Sequence, residues 1–161
     1  MTHPVLLAPE RGLLEGLLDA QRDEVAALLD DLTLDEARRR LVPSLTTVLA
    51  LVKHAAFVER VWFHHRVDGA TRAEVGIGET VDESFATGPE DTVESVRVDF
   101  LAACARSREI AAAHDLDEQF PWRVGPVSLR FIHGHMIAEL ARHAGHGDIL
   151  REQLLAQRTP S

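Results

Sequence analysis

A chain of 161 residues and 17.8 kDa fits one domain, 1–161, and is long enough to bury a substantial core without disulfides or a structural metal. Its 45% apolar and 27% charged residues argue against disorder and fibrous repeats. A formal charge of −9 and a pI near 5.4 argue against nucleic acid as a partner, because a phosphate backbone demands a concentrated basic face.

The N-terminal run MTHPVLLAPERG lacks the basic region and long apolar stretch of a signal peptide, and the lone Cys104 cannot form an internal disulfide. A cytoplasmic address is expected. No uncharged apolar run approaches the roughly 20 residues of a membrane helix, so no membrane span is expected either.

The first predicted helix runs from about Glu10 to Leu32, where Leu14, Leu17, Leu18, Val25, Leu28, Leu29 and Leu32 recur at helical spacing between charged residues. After the charged run DEARRR, Pro43 stops one element and Ser44 can cap the next. The second helix is predicted from about Leu45 to Asp68, ending at Gly69. Its apolar seam (Val48, Leu51, Val52, Ala55, Val58, Trp62) is interrupted by His54 and Glu59, and both interruptions need a reason.

Ala70 to Gly88 carries three glycines and no sustained apolar period, so a long loop is expected there; loops of this length often cover functional sites. The run Thr87-Gly88-Pro89-Glu90-Asp91 reads as a helix start, and the third helix should continue through Phe100 and Ile110 to about His114. Asp115 to Val127, with two prolines and Gly125, reads as a second loop. Ser128 then caps a fourth helix reaching about Gln157. Four long helices without a strand pattern predict an all-α four-helix bundle, and the first loop is long enough for a crossover connection.

The fourth helix carries the most chemistry. His133 to Asp148 holds four of the nine histidines. At about 100° per residue, His135, Glu139, His143 and His146 fall within roughly 80° of one another, while His133 points elsewhere. One helix usually supplies two ligands to a compact ion, so a third must come from another element. His54, inside an otherwise apolar stretch, is the best donor. With Glu139 and His143 it makes two imidazoles and a carboxylate, a set that suits Zn²⁺ with an open position and also tolerates Ni²⁺ or Fe²⁺.

His135 and His146 stand as partners that orient a ligand, alternative ligands or surface imidazoles. His64 and His65 read as surface residues near a helix end, His3 as part of a mobile terminus, and His114 as a favourable charge at a helix C-terminus. The chain has no HExxH, no G-x-S-x-G and no phosphate-cradling glycine motif, and Cys104 among alanines reads as an inert buried thiol.

The runs SLTTVLALVKHAAFVERVWF and SLRFIHGHMIAELARHAGHGDILRE resemble the two signature segments of the DinB-like superfamily, specifically its DUF664 branch, and with ARSREIAAAHDLDEQF the similarity covers most of the chain. Relatives in that branch include mycothiol-dependent enzymes. The resemblance implies a four-helix bundle with a crossover, often a homodimer. It also implies a divalent metal held by one residue of the second helix and two of the last, which by position are His54, Glu139 and His143. Many members have histidine where this chain has Glu139 and glutamine where it has His146. Glutamate there is similar to the mycothiol-dependent maleylpyruvate isomerase.

That isomerase resemblance also implies a C-terminal domain, whereas this chain stops at Ser161, so the isomerase's own substrate is not expected. The expectation is a metal-dependent thiol S-transferase detoxifying a small electrophile with a low-molecular-weight thiol such as mycothiol. The alternative is a non-enzymatic metal-binding module that dimerises. Trp62 and the Gly76 to Phe85 loop are expected to line or cover the pocket, and Arg130 or Arg142 to meet a carboxylate of the cofactor.

Overall fold

A computed structural model of the chain describes residues 6–158. Nearly all of its regular structure is helical. The order is α1 (Glu10–Ala27), α2 (Leu34–Ala37), α3 (Val48–Glu59) followed by a π-helical segment Arg60–Val67, α4 (Val81–Phe85), α5 (Val93–Ala112), a two-stranded ribbon β1 (Gln119–Phe120) and β2 (Val127–Ser128), and α6 (Leu129–Ala156).

Each departure from the predicted boundaries has a local cause. Helix α1 stops at Ala27, five residues before the apolar period does, because Leu28, Leu29 and Leu32 are buried from a turn in which Asp31 takes φ 57°. The charged run read as a connector contains α2, whose Thr33 and Glu36 form a reciprocal capping box. Helix α3 starts at Val48 instead of Leu45. Thr47 accepts the hydrogen bond from Ala50 N, while Ser44, the expected cap, accepts one from Thr46 N in a turn of its own.

The long loop contains the five-residue α4, again closed by a capping box, between Thr80 and Glu83. Helix α5 begins at Val93, because the Asp91 carboxylate is occupied by Gly88 N and Lys53 Nζ, each at 2.7 Å, and so pins the preceding turn onto α3. The second loop carries an unforeseen antiparallel ribbon pairing Gln119 with Ser128 and Phe120 with Val127. Pro121 and Pro126 both lie at its loop end, and since proline has no N–H to offer, the ladder stops there; at the other end Leu129 N donates to the Glu118 carbonyl as α6 begins.

The polar contacts between the long helices fix their directions. Lys53 meets Asp91, Arg60 meets Asp99 and Asp68 meets Arg106, so α3 and its π segment run parallel to α5. The connection between them is therefore a crossover that spans the length of the helices. Glu10 meets Arg130 and the Asp31 carbonyl meets Arg158, so α1 runs parallel to α6; Asp19 meets Arg108 and the Ala26 carbonyl meets Arg97, so α1 opposes α5. One apolar core, including Leu18, Val25, Leu49, Phe63, Phe100, Ile132, Met136 and Leu140, is shared by all four. Gly147 lets α6 approach the Leu28 side chain, into which a β-carbon at that position would project.

Glu59 has its reason here. It is fully buried and accepts two hydrogen bonds from Arg22 of α1, from Nε and Nη2, each 2.8 Å. That bidentate pair ties α1 to the point where α3 widens into the π segment. Three consecutive buried side chains then face three partners: Trp62 meets His135 of α6, Phe63 meets His133 of α6, and His64 meets the Ala103 carbonyl of α5. Among the described residues no helix is long and apolar enough to cross a membrane.

Candidate metal centre

Helix α3 carries His54 into the space between α3 and α6, and α6, antiparallel to it there, presents Glu139 and His143 one turn apart. Periodicity alone puts the last two on one face. The pairing of helices brings the first to them. One ligand-type atom from each of the three residues lies within 4.8 Å of the others. Nε2 of His54 is 3.7 Å and Nε2 of His143 is 2.9 Å from Oε1 of Glu139.

Short helix α4 supplies what the sequence reading missed. The Ser84 hydroxyl donates to the Val81 carbonyl, so its lone pairs are left to accept from Nδ1 of His54 at 2.7 Å. The proton of His54 therefore sits on Nδ1, and the Nε2 lone pair faces Glu139. The Phe85 ring stacks on His54 with centroids 4.2 Å apart, and His143 meets the His54 ring edge-on at 4.7 Å. A capping-box signal, Thr80 with Glu83, was available to locate α4, but nothing in a five-residue helix says which buried imidazole its serine will reach.

The electrostatics favour ligation. The hydrogen bond from His143 holds the Glu139 carboxyl well below the ordinary carboxylate range, against the opposing effect of burial, so it is ionised at neutral pH. Burial pushes the His54 imidazole down, which keeps it neutral. Nδ1 of His143 is buried with no hydrogen-bond partner among the described residues.

These features fit a divalent ion. Bonds of about 2.0–2.1 Å in a tetrahedral site put ligand atoms roughly 3.4 Å apart, close to the 3.7 Å between His54 and Glu139. The set of two imidazoles and an anionic carboxylate is the chemistry that zinc takes.

The other expected residues are distributed differently. Trp62 lines a cavity of about 260 Å³ together with His54, Glu139 and His143. Arg142 lies at the edge of the centre, 3.4 Å from Oε2 of Glu139, with an exposed side chain. Arg130 lies outside this cluster and pairs with Glu10 and Asp117. His135 packs against Trp62 with centroids 4.4 Å apart, and His146 is exposed with its ring 6.0 Å from that of His143.

His64 is not a surface residue. It is buried, with Nε2 donating to the Ala103 carbonyl and lying 3.2 Å from Ser107 Oγ, because the π segment rotates it toward α5. His65 is half-buried and contacts the Ala70 carbonyl through Nδ1, and His114 pairs with Glu118 just past the end of α5. His3 lies outside the described residues. Cys104 is buried, and that burial pushes its thiol far above the ordinary range, so it is inert as a nucleophile.

Comparison with known proteins adds a family. The family described as mycothiol-S-transferase matches residues 13–156. A crystal structure described as that of the conserved protein of locus from Enterococcus faecalis is similar with a TM-score of 0.71, 14% identity, and coverage of 90% of this chain and 96% of that one. At that identity the likeness speaks to the all-α, DinB-like fold alone. No curated protein matches the sequence.

Proposed function

The chain belongs to the mycothiol-S-transferase family, a DinB-like family, and from that premise we propose that it joins a low-molecular-weight thiol, mycothiol first among them, to a carbon of a small electrophile. The site would be a single divalent metal, zinc by preference over nickel or iron, held by His54, Glu139 and His143. The observation that carries this reading is the convergence of those three residues from α3 and α6 within 4.8 Å. The homodimer implied by the resemblance is part of the same proposal.

When bound, the ion supplies positive charge that lowers the pKa of a thiol toward neutrality. The residues do the rest. Ser84 holds the His54 proton on Nδ1 and leaves Nε2 free. Glu139 stays ionised and balances part of the positive charge. Phe85, Trp62 and their apolar neighbours exclude water from one side of the centre, which strengthens every electrostatic interaction there.

In the overall reaction the thiol releases its proton to solvent and its sulfur forms a bond to the electrophilic carbon. At a saturated carbon a leaving group departs with the electron pair of the bond that breaks; at an activated alkene the π pair moves to the neighbouring carbon, which takes up a proton. No other reactant is required.

The experiment is conjugation of monobromobimane to mycothiol, bacillithiol or glutathione by metal-loaded protein, with His143→Ala as control. Faster conjugation by the wild-type protein with one of the thiols is the expected result. A rate equal to that of the control leaves the non-enzymatic metal-binding module as the better reading.

A further inference from the structure

The cavity that reaches the three candidate ligands has walls of one character. Apart from His54, Glu139 and His143 it is lined by Phe57, Val58, Val61, Trp62, Val81 and Phe85, and it has a volume of about 260 Å³. Val81, at its rim, is 58% exposed at the start of α4, VDESF, whose last residue is Phe85. An exposed valine there has no role in the core, but it extends the apolar wall outward.

Charged groups gather elsewhere. A second cavity of about 380 Å³ lies across Phe57 and Ser84 and is lined by Lys53, Arg60, Glu83 and Asp99, but none of the three candidate ligands faces it. Its two cations are already paired, Lys53 with Asp91 and Arg60 with Asp99. Arg66 stands over the Trp62 ring at 4.4 Å and donates to the Pro121 carbonyl, without lining the cavity beside the triad. A carboxylate or phosphate entering that cavity would lose its hydration with no cationic side chain in the lining to replace it, and the open position of the proposed ion is the one the thiolate takes.

We infer that the electrophile is an uncharged, mainly apolar molecule whose hydrocarbon part lies among Phe57, Trp62, Val81 and Phe85 while its reactive carbon faces His54, Glu139 and His143. Calling this ligand an electrophile rests on the transferase reading; its apolar, uncharged character rests on the cavity alone. The acceptor would be selected by area buried instead of by ion pairing.

Two linked measurements test this on the full-length, metal-loaded protein. The first is equilibrium binding of three unreactive succinimides, N-ethyl, N-cyclohexyl and N-carboxyethyl, with mycothiol present in excess so that the open position of the ion is filled, followed by ligand-observed NMR. Each buried methylene is worth about fourfold in affinity, so the cyclohexyl compound should bind at least about tenfold more tightly than the ethyl one, and the carboxylate should bind most weakly. Val81→Asp keeps the fold, since an acid at the first turn of α4 is favoured, and should weaken cyclohexyl binding by about fivefold or more. Affinities within twofold of one another, a preference for the carboxylate, or no effect of Val81→Asp would overturn the inference.

The second measurement uses the matching maleimides with mycothiol, in which sulfur adds to one alkene carbon and the thiol proton ends on its neighbour. The expected order of kcat/KM is cyclohexyl above ethyl above carboxyethyl. Graded succinimide binding without any acceleration of maleimide addition would remove the transferase reading and uphold the apolar site. Acceleration with equal kcat/KM for all three maleimides would uphold the transferase and overturn the apolar site.

Discussion

Replacing Ser84 with alanine removes one hydroxyl, on the fourth residue of α4, and acts on a ring in another helix. In the wild-type protein Nδ1 of His54 donates to that hydroxyl at 2.7 Å, in a position that is buried and backed by Phe85 at 4.2 Å. Without it the N–H loses its acceptor in a site with little water, which should cost about 1–3 kcal/mol of stability in the metal-free protein. The imidazole can escape that cost by moving its proton to Nε2, where Glu139 lies 3.7 Å away. That tautomer occupies the lone pair the metal would take.

Loss of an orienting partner of this kind weakens metal affinity by about 10–100-fold. Competition with a chromophoric chelator measures the zinc affinity, and ¹⁵N–¹H correlation of the metal-free protein reports which ring nitrogen carries the proton. Ser84→Thr keeps the hydroxyl and should restore affinity to within about threefold. A Ser84→Ala protein with zinc affinity within twofold of wild type, and the proton still on Nδ1, would refute the reasoning.

Other expected outcomes follow from the same geometry. Arg22→Met strips the fully buried Glu59 of both bonds and should destabilise by about 3–5 kcal/mol in urea unfolding, whereas Arg22→Met with Glu59→Leu should recover most of that loss; additive losses would contradict the pairing. Cys104→Ala should leave thiol conjugation unchanged within about twofold, and the native thiol should resist Ellman's reagent until the protein unfolds.

Acid should weaken the metal-free protein for a stated reason. Burial holds His54, His64, His133 and His135 below their ordinary 6.5, so near that pH the unfolded chain takes up protons that the folded chain refuses. Their contribution is therefore complete above about pH 6.5 and is lost as pH falls through that value toward the lowered folded values. Urea midpoints between pH 8 and pH 5 should show this fall, and a flat profile would count against it.

Much of this was legible because it depends on period and spacing. The fourth helix, from its Ser128 cap to its end near Gln157, follows from one unbroken pattern, and the placement of Glu139 and His143 on one face follows from a separation of four residues. His54 stood out because an imidazole within an apolar seam needs a partner. Ser84 did not stand out, since its significance depends on where a crossover segment settles after α3 and α5 have packed in parallel. His64 was misplaced for a related reason: a straight α-helical count carries it to the surface, and the π segment turns it into the core. Glu59 is anomalous in an apolar seam, but its partner Arg22 lies 37 residues earlier on another amphipathic helix, where an arginine looks like any solvated charge.

The central claim is that His54, Glu139 and His143 hold one metal ion between α3 and α6. Anomalous diffraction from crystals of zinc-loaded protein, collected on both sides of the zinc edge, tests it most directly. The account expects one strong peak bonded to Nε2 of His54, a carboxylate oxygen of Glu139 and a ring nitrogen of His143, with Nδ1 of His54 still hydrogen-bonded to Ser84. An empty triad in zinc-loaded crystals, or a peak coordinated by other residues with His54 turned away, would contradict it.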